Sequence, residues 1–205
     1  LVSQLSFKSV IELLFATRNA HKRDEAQSIL GPQFKVTDLS AHPELPLIAE
    51  TGTTFKENAI LKAVAVSNRL SGLVVADDSG LQIDALGGAP GIHSARYAGA
   101  NATDKEKIKK LLAELTRVDA ANEGRSARFR CVLALAREGR LLGTFEGIVE
   151  GRIGDQPRGS RGFGYDPIFI PQGFKQTFGE LAAAEKNQLS HRARALEKLR
   201  AFIRR

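Results

Sequence analysis

Apolar positions along this chain switch between short continuous runs, helical spacing and strict alternation. The run in VIELLFAT (10–17) reads as a buried strand, and AHKRDEAQSIL (20–30) as a helix closed by Gly31-Pro32. A short strand is expected near 34–37, then a loop, SAHPELPLIAETG, whose prolines prevent regular pairing. Thr54 and Glu57 have capping-box spacing ahead of a helix expected to reach Ser71 and stop at Gly72. Thr103 and Glu106 repeat the pattern before a helix to about Leu115. Residues 126–153 alternate as two long strands joined at Glu138-Gly139. A Gly/Pro/Arg-rich loop leads to GFGYDPIFIP, and a last amphipathic helix starts at Ser190. Early βαβ units beside an antiparallel hairpin imply an α/β fold with a central mixed sheet flanked by helices.

One stretch resists this simple reading. In VVADDSGLQIDALGGAP (74–90), two carboxylates, a serine and a glycine interrupt an apolar run. In a regular strand Asp77 and Asp78 would point to opposite faces and could not serve one site. The strand is therefore expected to end between them, which puts a carboxylate where open α/β sheets place chemistry. The alternative is hairpin punctuation between 74–76 and 81–83.

Four further segments carry candidate chemistry. In ATRNAHKRDE a helix N-terminus faces a strand end, and His21, Lys22 and Arg23 load its first turn with cations that the helix dipole disfavours; a bound anion would explain them. In ETGTTFKENAILKA, Glu57 is a capping residue, Glu50 is a loop carboxylate free to reach a metal, and Lys62 lies two turns into the helix. A hard cation such as Mg2+ needs only one or two protein carboxylates, which Glu50 and Asp78 would supply. In RGSRGFGYDPIF, glycines 159, 162 and 164 admit close approach of a ligand, Phe163 and Tyr165 offer ring faces, and Asp166 could accept from a ring N–H. In EKNQLSHRARA, Ser190 is a good N-cap, and His191 and Arg192 set donors at a helix start. Each segment also has an ordinary reading as surface charge, turn or core anchor.

Composition narrows the classes. The 205 residues, 42% hydrophobic, are enough for a real core. The run Leu13–Ala16 is too short to span a bilayer, and Glu12 breaks a signal-peptide core, so no membrane association, no export and a cytoplasmic location are expected. The single Cys131 lies in an apolar stretch and reads as a buried, reduced thiol. Four scattered histidines give no zinc spacing. A net charge of +7 points to an anionic partner. Residues 1–10 read as an N-terminal extension, and 11–205 as one domain. These residues alone leave open a nucleotide hydrolase, a nucleotide sensor without turnover, and a nucleic-acid binder using the helix at 191–205.

Taken in order, the five segments resemble the inosine triphosphate pyrophosphatase family, from about Ile11 to Leu199, most specifically through ADDSGLQIDALGGAPGIHSARYAG, GFGYDPIF and SHRARAL. The resemblance implies an elongated fold of two lobes with the nucleotide between them, a homodimer, and no stable nucleic-acid complex. It implies Mg2+-dependent hydrolysis of ITP, dITP and XTP to monophosphate and pyrophosphate. Carried over by position, Thr17, Arg18, Asn19, Ala20, His21 and Lys22 would hold the phosphates with Ser79 and Lys62. Asp78 would be the catalytic carboxylate and metal ligand, with Glu50 assisting. Phe163 would stack on the base, with Gly164, Tyr165, Asp166 and Lys186 around it, and His191 and Arg192 would read its 6-oxo group. Arg18 stands where the family commonly has glycine, and Ala49 where some members have a second acidic residue.

Overall fold

β1 (Ile11–Phe15) pairs in parallel with β2 (Phe34–Asp38) and with β3 (Leu73–Ile83), opening a six-stranded mixed sheet of order β2-β1-β3-β4-β5-β6. This computed structural model describes residues 10–118 and 125–205, so the sequence-predicted N-terminal extension, apart from Val10, lies outside the described residues. The expected hairpin is present as β4 (Ser126–Arg137) and β5 (Arg140–Ile153), turning at Glu138-Gly139, with β6 (Phe169–Pro171) on the far edge of β5.

Helices cover both faces. α1 (Ala20–Leu30) and α5 (His191–Ile203) bury Ala26, Leu30, Leu196 and Leu199 against the face carrying Val75, Cys131 and Leu133. α2 (Phe55–Ser67) buries Ala59, Ala63 and Val66 against Val74, Ala76 and Val132 on the opposite face. α3 (Asp104–Arg117) covers the far end of the sheet with Leu111 and Leu115. A short α4 (Ala183–Leu189) precedes α5. Both capping boxes form, at Thr54/Glu57 and Thr103/Glu106. α2 ends at Ser67, capped by Asn68, rather than at Ser71.

The principal correction concerns β3. It does not end between Asp77 and Asp78, nor turn at Ser79-Gly80, but runs unbroken to Ile83, paired with β4 from Val74↔Ala136 to Ile83↔Ala127. The hairpin reading took Ser79-Gly80 for a turn, and the strand-end reading assumed that two faces could not share one site. They can, because β1 stops at Phe15. The Ala16 N–H donates to the Val75 carbonyl at 2.6 Å, and the chain then turns into α1. Beyond Val75 β1 no longer pairs with β3, which leaves a notch where Asp77 from one face lines the same cavity as Glu50 and Lys62 from the other.

Candidate active site

Asp77 and Asp78 leave β3 on opposite faces, and each meets its own cations. On the α1/α5 face, Asp77 accepts from Lys22 Nζ at 2.6 Å and Arg192 Nη2 at 3.0 Å, and its Oδ2 takes the Ser79 hydroxyl at 3.1 Å. Burial alone would raise its pKa, but Lys22 and Arg192 outweigh that and hold the carboxyl well below the usual range. On the α2 face, Asp78 accepts from Asn58 Nδ2 at 3.1 Å and lies 3.4 Å from Lys62 Nζ, which also donates to Glu50 Oε1 at 2.8 Å. Burial raises the Asp78 pKa; Lys62 opposes this, and the nearby Glu50 and Asp77 charges add to it.

Glu50 and Asp78 crowd one ammonium. This all-oxygen donor set fits a hard divalent cation that takes its other ligands from water and phosphate. Among the described residues no group of three or more His, Cys, Asp or Glu side chains forms a fuller metal cage.

Two cavities meet here. One of about 200 Å³ is lined by Thr17, Arg18, Lys22, Glu50, Lys62 and Asp77. The other, about 290 Å³, is lined by His21, Lys22, Ser79, Phe163, Lys186 and Arg192 among others. Lys22 borders both. The Asn19 side chain accepts from the His21 N–H and caps α1, which aims the helix N-terminus at this junction.

The larger cavity is built around the 162–166 loop. Gly162 has φ +75°, and a Cβ there would lie 2.0 Å from Asp166 Oδ2, so the turn requires glycine. Asp166 Oδ2 accepts from the Phe163 N–H at 2.9 Å and Lys186 Nζ at 2.6 Å, while the Gly164 N–H donates to Asp104 at 2.6 Å. Phe163 is thereby presented to the cavity, stacked 5.5 Å from the His21 ring, with the Lys186 and Arg192 cations 5.1 and 5.6 Å from its centre. Tyr165 is a buried strut rather than an open ring face, its hydroxyl donating to the Ser94 carbonyl.

His191 and Arg192 are not surface charges. Gly147 lets α5 lie directly on β5: a Cβ there would come within 2.0 Å of the His191 carbonyl oxygen. Arg192 spends four of its five N–H groups on Asp77, Ser79 and Glu25, leaving one on Nη1 without a partner among the described residues. His191 stacks on Phe129 at 4.7 Å, and its buried Nδ1 has no hydrogen-bond partner among the described residues. Burial, reinforced by Arg192 and Lys186, pushes its pKa well below the usual histidine value, so the ring is neutral.

The matching family model, the Ham1 family, spans residues 13–202. The chain belongs to this family. A Bacillus licheniformis protein named dITP/XTP pyrophosphatase is 49% identical over 193 residues, covering 94% of this chain and 97% of that protein. A Geobacillus kaustophilus protein of the same name is 51% identical over 189 residues, 92% of each. A solved Ham1 protein from Coxiella burnetii superposes with TM-score 0.84 at 43% identity, covering 95% of this chain and 98% of that one.

Within this Ham1 chain most of the residues anticipated from sequence line the two cavities; Asp78 and Ala20 line neither, Asp78 reaching the smaller one through Lys62, and Arg18, like Tyr165, takes a different part. Arg18 lines the smaller cavity but donates to the carbonyls of Leu39, His42 and Leu45 at 3.1, 3.2 and 2.7 Å, so it latches the loop leading to Glu50. Cys131 is buried against the Asp77 side, and burial pushes its thiol up to about 12. Sequence reasoning missed Glu25, which binds Lys186 at 2.6 Å and Arg192 at 2.5 Å. Its signal was position: it lies one helical turn after Lys22 on the same face of α1. It also missed Asn58, a polar residue inside the apolar stripe of α2, and Arg96, which reaches Glu50 at 3.0 Å.

Proposed function

We propose that this chain hydrolyses the non-canonical purine nucleoside triphosphates ITP, dITP and XTP to monophosphate and pyrophosphate with Mg2+. The observation that carries the reading is a pair of cavities that share Lys22: one has an aromatic face and, among the described residues, an unpartnered Arg192 N–H and His191 Nδ1, and the other holds lysines and carboxylates. The names of the relatives above support it.

The base stacks on Phe163 after displacing His21 from that ring, and Arg192 donates to the 6-oxo group beside His191. Adenine presents an amino group there, so donor meets donor and a buried N–H is left unpaired, a mismatch that costs orders of magnitude in rate. Lys22, Ser79 and the α1 N-terminus, from Thr17 to His21, take the triphosphate, and Lys62 offsets its charge from the other face. Asp78 accepts the proton of a water that attacks the α-phosphorus, and the bond to the bridging oxygen breaks to release pyrophosphate. Glu50 and Asp78 would hold Mg2+, which supplies Lewis-acid charge to the phosphate oxygens and the leaving group. Two lobes follow from this division, the larger cavity in one and the Glu50 loop in the other. A second copy would dock on the stretch of β4–β5 beyond the end of α2, where the partly exposed Arg128 bridges Asp84 and Glu150.

Anion-exchange analysis of products from ITP, XTP, GTP and ATP, with Mg2+ and with chelator, tests the reading. IMP and XMP plus pyrophosphate, dependent on metal and with little from GTP or ATP, are expected. IDP plus phosphate, or no turnover, would overturn it.

A further inference from the structure

Glu50 comes from a segment, 42–54, that is neither helix nor strand, and a cation holds it at each oxygen. Lys62 donates to Oε1 at 2.8 Å, and Arg96 Nη1 to Oε2 at 3.0 Å. The two cations differ. Lys62 is largely buried and shared with Asp78, whereas the Arg96 side chain is 40% exposed and touches one carboxylate. The backbone beneath Arg96 is fixed. Ser94 Oγ accepts from the Leu81 N–H of β3 at 3.0 Å and donates to the Gly91 carbonyl at 2.6 Å, and the Ser94 carbonyl takes the Tyr165 hydroxyl at 3.0 Å. A long side chain on an anchored base can swing, and its planar fork suits phosphate oxygens.

A divalent cation on Glu50 would be repelled by the two positive groups at its oxygens, and Arg96, half-exposed and bound to one carboxylate, is the one able to swing away. We propose that Arg96 is a placeholder for the metal on Glu50 in the ligand-free protein, and that it transfers to the β- and γ-phosphates when metal and nucleotide bind, so that it holds the departing pyrophosphate. This rests on the pyrophosphate-releasing activity proposed above. It makes Arg96 a residue whose removal helps one ligand and harms another.

Two titrations on the whole protein test it, neither needing turnover. Mn2+ binding without nucleotide, followed by electron paramagnetic resonance, is expected to tighten roughly two- to five-fold in Arg96→Ala, as a competing half-exposed ion pair is lost. Pyrophosphate binding as its Mn2+ complex, followed by calorimetry, is expected to weaken about ten-fold or more. Arg96→Lys, which keeps the charge without the fork, should fall between wild type and alanine in pyrophosphate binding. Mn2+ affinity unchanged or weaker in Arg96→Ala, or unchanged pyrophosphate affinity, would overturn the proposal; a merely structural arginine would weaken both. If wild type released phosphate rather than pyrophosphate from ITP, the activity reading would fall, while the Mn2+ result would still report on the placeholder.

Discussion

Asp77 and Asp78 are consecutive in β3 yet sit in opposite electrostatic surroundings: Asp77 is clamped between Lys22 and Arg192, while Asp78 shares one lysine with Glu50. One carboxylate is therefore fully compensated and the other is not. The first ties α1 and α5 to the sheet, and the second is the one that the proposed mechanism uses as its base.

Their asparagine variants should separate accordingly. Asp77→Asn leaves Lys22 and the buried Arg192 without their shared counter-charge and is expected to cost about 3–5 kcal/mol in urea unfolding. Asp78→Asn keeps the shape beside Asn58 and is expected to unfold close to wild type while turnover falls roughly 10²–10⁴-fold. Equal stability losses, or near-normal turnover of Asp78→Asn, would contradict this division.

Glu25 gives a pH-dependent test. Burial would raise its pKa, but Arg192 and Lys186 prevail and hold it below the ordinary value. A carboxyl lowered on folding contributes fully above its unfolded pKa and loses that contribution as pH falls through the folded one. Glu25→Gln is thus expected to be about 3 kcal/mol less stable at pH 7. The gap should narrow in acid, below the unfolded pKa of about 4.3. Urea unfolding at neutral and acid pH checks this; a gap independent of pH would refute the charge assignment.

Gly147→Ala should act at a distance. The new Cβ would meet the His191 carbonyl at 2.0 Å and the Ala195 N–H nitrogen at 2.6 Å, so the start of α5 must move off β5. Overpacking of this kind costs about 1–3 kcal/mol. Steady-state kinetics with ITP should show KM rising more than kcat falls, since the proposed reading sets the displaced residues against the base.

Arg18→Ala releases three carbonyls of the 39–45 loop upstream of Glu50. The Mg2+ concentration for half-maximal turnover is expected to rise, by roughly ten-fold if about one charged hydrogen bond's worth of ordering is lost. An unchanged metal requirement would mean that Arg18 acts on the phosphates instead.

Much of this was legible in the chain. Capping boxes, the Glu138-Gly139 turn and the period-two hairpin are local signals, and they appear where the sequence places them. The course of β3 was not legible, because it depends on where β1 stops, a fact about a neighbouring strand rather than about Asp77-Asp78. Glu25 and Arg96 were overlooked for a related reason: a surface-looking charge declares its partner only when elements distant in sequence, α5 for one and the Glu50 loop for the other, come together. Arg18 looked like a phosphate ligand because it sits in the turn ahead of a helix N-terminus; only the fold shows its guanidinium turned toward carbonyls.

The two cavities meet at Lys22, and α1 serves both: Lys22 at the junction, and Glu25 one turn deeper gripping the residues that face the base. On the proposed reading, recognition and reaction are therefore separable parts mounted on one short rod. The loop at 162–166 and the start of α5 could drift toward a different nucleobase while the carboxylates and lysines at the notch stay as they are. A chain built this way can change what fits the larger cavity without rebuilding the charged cluster beside it.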